Sequence, residues 1–274
     1  MKNILVPIPE AHPVDTVLDG AVALGRMFDS CIEGIALAPD LSRTIAAEFP
    51  IDPHYIDPDN RRQLVADARN AFERYMQQAA IGRYGDTGIG YEWNVRELGE
   101  DSRIASYARL FDLVALARPA QSRDGPRIAT VETVLFESGR PVLLVPPVKA
   151  ESIGSRVVIA WNGSPETART IAFAMPILLK AERVVVLALE GWEVDGPSAS
   201  DQVRLLARHG MKVELATRPA AQAPGEAILR YAKEMDADLI VKGAYTQSRL
   251  RQMIFGGATS FLLSHTDVPM LIAH

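Results

Sequence analysis

An α/β protein made of two tandem doubly wound units, each on a five-stranded parallel sheet, is what this sequence predicts. Three observations carry the prediction. Short apolar runs lack polar alternation, helix-period stretches lie between them, and the same order returns after about residue 150.

Residues 4–8, 32–37, 113–117 and 142–145 are apolar without alternation, as strands covered on both faces of a parallel sheet are. Residues 91–98 form the weakest strand candidate. Between these runs, Val14, Val17, Leu18, Ala21 and Leu24 share one helical face. Leu64, Ala68, Ala71, Phe72, Tyr75 and Met76 share another, behind Asn60 as the expected N-cap. Strands separated by helices make βαβ units with right-handed crossovers.

In the second half, residues 157–161, 184–189, 213–216, 239–241 and 270–273 read as strands. Ser164 and Pro165 supply N-cap and first-turn chemistry for a helix carrying Ile171 and Met175, which Pro176 is expected to end or kink. Ile228, Ala232 and Met235 mark a later helix. The halves also match locally: Asp112-Leu113-Val114 and Gln121-Ser122-Arg123 return 126 residues on as Asp238-Leu239-Ile240 and Gln247-Ser248-Arg249. The units are therefore expected at 1–147 and 155–274, joined by a short linker at 148–154 and packed as a pseudo-two-fold pair, a pseudo-dimer. The first carries extra chain around 38–60.

A length of 274 residues suits two domains of about 150 residues each. With 48% hydrophobic and 23% charged residues, each unit has material for its own core. A net charge of −5 provides no broad positive field to capture nucleic acid or an acidic membrane surface. A single cysteine, Cys31, excludes an intrachain disulfide. The opening Met1-Lys2-Asn3 runs straight into a strand, and no apolar run approaches a membrane span. The expectation is a soluble, cytoplasmic protein.

Ligands of open α/β sheets bind beyond the carboxyl ends of the strands, where strand order reverses. In the second unit this selects Trp161-Asn162-Gly163-Ser164 after the first strand and Gly243-Ala244-Tyr245-Thr246 after the fourth. The latter leads through Arg249 and Arg251 to Phe255-Gly256-Gly257-Ala258-Thr259. Gly243 permits a sharp turn and close approach of a ligand. Gly256 and Gly257 precede a helical pattern at 260–264, so they expose amides at a helix N-terminus beside the Thr259 hydroxyl, an arrangement suited to phosphate. Arg249 and Arg251 add charge.

With these residues in place, the sequence resembles the universal stress protein family, whose motif is Gly, two residues, Gly, nine residues, then Gly followed by Ser or Thr. Gly243, Thr246 and Gly256-Gly257 fall at those positions, and Asn162 stands where many members carry Asp. Thr246 departs from the second glycine, and Gly257 from the Ser or Thr, with Thr259 able to supply a hydroxyl. The resemblance spans the chain as a tandem pair. It implies sheets of order 3-2-1-4-5, an adenine-nucleotide alpha hydrolase-like fold, a stress-response role and, in motif-bearing members, ATP on the glycine loop. The implied nucleotide-binding residues are Asn162, Gly243, Thr246, Arg249, Gly256, Gly257 and Thr259; whether Mg²⁺ accompanies the nucleotide is left open.

The matching loop of the first unit, Ala117-Arg118-Pro119-Ala120, lacks the turn glycines, and no paired glycine precedes Ala129. The first unit is therefore expected to bind no nucleotide.

Other chemistries lack their residues. No P-loop or nucleophile elbow occurs, and Gly88-Ile89-Gly90 precedes a strand and has Trp93 where a third glycine belongs. His12, His54, His209, His265 and His274 have no metal-ligand spacing, and Asp52, Asp57 and Asp59 match no calcium loop. No catalytic residue or metal ligand is assigned, and at most slow ATP hydrolysis is expected. The alternative is a scaffold that binds no nucleotide and acts by self-association or protein contacts, through its helices or the strands at 142–145 and 270–273 taken as edges.

Overall fold

A computed structural model describes residues 1–9, 14–37, 58–85, 88–95, 101–119, 127–149, 152–219, 223–245 and 257–274. The chain forms two compact units, Met1–Arg140 and Pro141–His274.

The first unit contains β1 (Asn3–Pro9), α1 (Asp15–Phe28), β2 (Cys31–Leu37), α2 (Pro58–Gln78), β3 (Gly90–Trp93), α3 (Asp101–Ala108), β4 (Leu113–Ala117) and α4 (Ile128–Glu137). Its sheet runs β3-β2-β1-β4, all parallel. Ile4, Leu5, Ile8, Leu18, Leu24, Ile32, Phe72 and Met76 are wholly buried in its core, each contributing about 1.5–3 kcal/mol of transfer free energy. The helix expected behind Asn60 begins at Pro58. Proline suits a first helical turn, where its missing N–H has no intrahelical partner, so Asn60 falls inside the first turn rather than at the cap.

The second unit contains β5 (Val142–Val145), β6 (Arg156–Trp161), α5 (Pro165–Leu178), β7 (Arg183–Glu190), α6 (Ala199–Ala207), β8 (Val213–Pro219), α7 (Pro224–Glu234), β9 (Leu239–Gly243), α8 (Ala258–His265) and β10 (Met270–Ala273). Its strands run β8-β7-β6-β9-β10, the 3-2-1-4-5 order, with parallel pairing throughout. Beyond β10 lies β5, antiparallel, with Met270 opposite Leu144 and Ile272 opposite Val142. The strand at 270–273 is thus interior, flanked by β9 and β5, and offers no free edge. Both strands are apolar throughout and fully buried, which favours backbone pairing over exposure.

Two further expectations meet the structure. Pro176 does not end α5, which continues to Leu178. The proline forfeits the bond to the Ala172 carbonyl, but Ile177 and Leu178 are fully buried in the last turn, and their packing outweighs one lost hydrogen bond. The repeat also extends to hydrogen bonding. Asp112 accepts from the amides of Lys2 (2.6 Å) and Asn3 (3.0 Å), and its own amide donates to the Asn3 carbonyl (3.0 Å). Asp238 does the same for β6, accepting from the amides of Gly154, Ser155 and Arg156 at 2.9–3.1 Å and donating to the Arg156 carbonyl (2.9 Å). In each unit a carboxylate at the entry to the fourth strand holds the entry to the first.

Candidate functional site

At the carboxyl end of β6 the chain turns through Asn162 and Gly163, where φ is +81°. A positive φ and the carbonyl of Val194, 3.2 Å from where a Cβ would stand, both favour glycine at 163. Ser164 caps α5, its Oγ accepting from the Thr167 amide at 3.2 Å, with Pro165 in the first turn. The buried Asn162 side chain joins this cap: its Oδ1 accepts from Thr167 Oγ1 (2.8 Å) and the Ser164 amide (3.3 Å). The segment after β7 lies over the same turn. Val194 donates its amide to the Asn162 carbonyl (2.9 Å), and Trp161 Nε1 donates to the Pro197 carbonyl (3.1 Å).

At the end of β9, Gly243 meets the start of α5. A Cβ there would stand 2.4 Å from the Thr167 amide nitrogen and 2.6 Å from the Glu166 carbonyl carbon, so this position has no room for a side chain. The preceding residue, Lys242, is 2% exposed. Its Nζ donates to the Gly243 carbonyl (2.6 Å) and to Thr259 Oγ1 (2.9 Å), and lies 5.7 Å from the centre of the Trp192 ring. Burial lowers the Lys242 pKa to about 8, opposed by the charge of Glu166. Tyr245 leaves the strand with φ +56°, uncommon for a residue with a side chain, and its amide lies 3.5 Å from Thr259 Oγ1.

Helix α8 opens on Gly257, which is extended (φ −74°, ψ 159°) and gives no side-chain cap. Its first-turn N–H groups therefore receive no side-chain cap from residue 257, and Thr259 is buried within that turn.

Of the residues expected at the site, Asn162, Gly243, Gly257 and Thr259 are described, whereas Thr246, Arg249 and Gly256 lie outside the described residues, as does Arg251. Thr167 links Asn162 to Gly243, and Lys242 links Gly243 to Thr259. Neither linking residue stood out in the sequence, although a lysine closing the apolar run Leu239-Ile240-Val241 was the available signal for the second.

The first unit places different chemistry at the corresponding helix. Thr130, in the first turn of α4, donates to the carboxylate of Asp101 (3.0 Å), which Arg127 also reaches at 3.3 Å. Asp101 is buried. Among the described residues, no group of three or more His, Cys, Asp or Glu side chains could hold a metal ion, and no helix is long and apolar enough to cross a membrane.

Fold and site together define a tandem doubly wound α/β protein whose second unit has a β9 end packed against α5 with no room for a Cβ, and joined through Lys242 to the first turn of α8. Residues 155–274 match the universal stress protein family. It is 26% identical over 168 residues to the universal stress protein Slr1230 of Synechocystis, covering 59% of this chain and 57% of that protein. Over 49 residues it is 41% identical to the stress response protein NhaX of Bacillus subtilis, 18% of this chain and 30% of that one. The chain thus aligns with little more than half the length of the first of these curated relatives and a smaller part of the second. The crystal structure of a universal stress protein from Archaeoglobus fulgidus is similar in fold over 99% of this chain and 95% of its own, with a TM-score of 0.69 at 18% identity.

Proposed function

We propose that this chain is a tandem universal stress protein, with repeat limits at 1–147 and 155–274, whose second unit binds an adenine nucleotide, ATP or a related adenylate. The match of residues 155–274 to the universal stress protein family supports a stress-response role. The observation that carries the nucleotide reading is the pairing of Gly243, too tightly packed for a Cβ, with α8, which opens on Gly257 and an unspent first turn. The residues assigned to the adenylate are Gly256, Gly257 and Thr259 for its phosphates, Arg249 for added charge, and Asn162, Gly243 and Thr246. Binding, rather than turnover, is the activity: Lys242 donates to the Thr259 hydroxyl as an ammonium, which does not withdraw its proton, so hydrolysis of ATP is slow at most. The first unit binds no nucleotide: its matching loop lacks the turn glycines, and Thr130 in the first turn of α4 already donates to the buried Asp101 carboxylate. The protein works in the cytoplasm, through self-association or protein partners.

Thermal unfolding of the full chain with ATP, ADP and AMP, with and without Mg²⁺, tests this reading. Ligand at a hundred times its dissociation constant stabilises the folded state by about 2.7 kcal/mol. Gly257→Val abolishes that shift, while Ala129→Val in the first unit leaves it intact. Absence of a shift with every nucleotide overturns the reading in favour of a scaffold acting by protein contacts.

A further inference from the structure

The corresponding helices of the two units carry a threonine in the first turn, but its partner has opposite charge. In the first unit Thr130 donates to the Asp101 carboxylate. In the second, Thr259 accepts from the Lys242 ammonium. The direction of the hydrogen bond follows the charge: a carboxylate only accepts and an ammonium only donates. Thr130 thus spends its hydroxyl hydrogen inward. Thr259 receives at Oγ1, and its own hydrogen has no acceptor among the described residues.

Lys242 is also short of partners. Its three N–H bonds meet two acceptors, the Gly243 carbonyl and Thr259 Oγ1, and it forms no ion pair among the described residues. Glu166 at the start of α5 is the charged side chain acting on it there, and that carboxylate has one buried oxygen without a hydrogen-bond partner. A buried ammonium without a bonded counter-charge is costly unless an anion joins it. A methionine or leucine in this strand would carry no such cost.

We propose that Lys242 is the positioning residue of an anion subsite in the second unit: it turns the Thr259 hydroxyl into a donor and supplies the positive charge for one phosphoryl group at the first turn of α8. This deepens the nucleotide reading above and rests on it for the identity of the full ligand. The phosphoryl oxygen accepts from the Thr259 hydroxyl and the uncapped amides of α8, with the ammonium directly behind. Affinity for phosphorylated ligands therefore depends on the protonation of Lys242, whereas affinity for a nucleoside without phosphate does not.

The test is titration calorimetry of the full chain with ATP, AMP and adenosine at pH 7 and pH 9, for wild type and Lys242→Met. A charged hydrogen bond at this position implies about tenfold or greater weakening of ATP and AMP in the variant at pH 7. Wild-type affinity for both falls toward that of the variant at pH 9, while adenosine affinity is unchanged throughout. Unchanged ATP affinity in Lys242→Met, or the same pH dependence in wild type and variant, overturns the proposal.

An NMR titration of the Lys242 ammonium in wild type, with pyrophosphate as probe, keeps the test independent of the variant's folding. Bound pyrophosphate raises the Lys242 pKa if the subsite exists, and leaves it unmoved if it does not. If wild type binds none of the adenine ligands, the nucleotide reading falls, and the pyrophosphate titration alone decides for or against the subsite.

Discussion

The α-carbon of Gly243 packs against the backbone of Thr167, so closely that a Cβ on residue 243 would stand 2.4 Å from the Thr167 amide nitrogen and 2.8 Å from its Oγ1. The same threonine donates to Asn162, so the ends of β6 and β9 meet through the first turn of α5. The glycine that the sequence assigns to ligand approach is thus also required by the protein's own packing.

Gly243→Ala forces α5 away from β9, because the obstruction is backbone rather than the end of a flexible side chain. The expected loss is about 1–3 kcal/mol, the usual cost of overpacking a dense interior. Urea unfolding measures it. A variant as stable as wild type means that this contact is looser than described.

Asp112 gives a pH-dependent test of the strand clamp. Burial pushes its carboxyl up, but the amides of Lys2 and Asn3, the N-terminal charge and Arg140 outweigh that and hold it below the usual value. A folded-state pKa below the unfolded one yields stability that is present above the unfolded value, about 3.9, and is lost as pH falls through the folded one. The stability gap between wild type and Asp112→Asn is therefore open at pH 7 and closes on acidification below about pH 4. Denaturant midpoints across pH 2–7 measure this, and a gap independent of pH contradicts it.

Lys242 gives the opposite sign at the alkaline end. Its folded pKa of about 8 lies below the ordinary 10.5, so between those values the unfolded chain binds more protons and stability rises with pH. Relative to Lys242→Met, wild type gains about 3 kcal/mol across that window. Below pH 8 the difference is flat. A difference that falls from pH 8 to pH 10 refutes this account of the lysine.

Cys31 is buried, and burial together with Glu92 and Glu33 pushes its thiol up to about 12. Thiolate is the reactive form, so native protein at pH 7.5 reacts with a disulfide reagent far more slowly than unfolded protein. Rapid stoichiometric labelling without denaturant contradicts this burial.

Much of the fold was legible in the sequence because local rules decide it. Apolar runs without alternation became strands in both units, and Ser164 with Pro165 opened α5 as their capping chemistry requires. The repeat was legible through Asp112 and Asp238, which stand in matching triplets, whereas the work they share on the first strand is a tertiary contact. The partner of β5 was not legible, since an apolar run of four residues specifies burial but neither neighbour nor direction. The span of α5 past Pro176 depended on how deeply Ile177 and Leu178 are buried. Asn162 and Gly243 stand out in the sequence by position, yet the Thr167 contacts that join them depend on a fold that brings residues 162, 167 and 243 together.

By itself the sequence determined the alternation of strand and helix, the duplication, and a glycine-bearing segment confined to the second half, because each depends on residues close together in the chain. Tertiary structure alone decided which charge faces the first-turn threonine in each unit: Asp101 for Thr130 and Lys242 for Thr259. Those partners lie 29 and 17 residues apart in the chain. Only folding, which strips water from both charges and fixes their distance to the hydroxyl, gives one unit an inward-turned donor and the other a donor with no acceptor among the described residues.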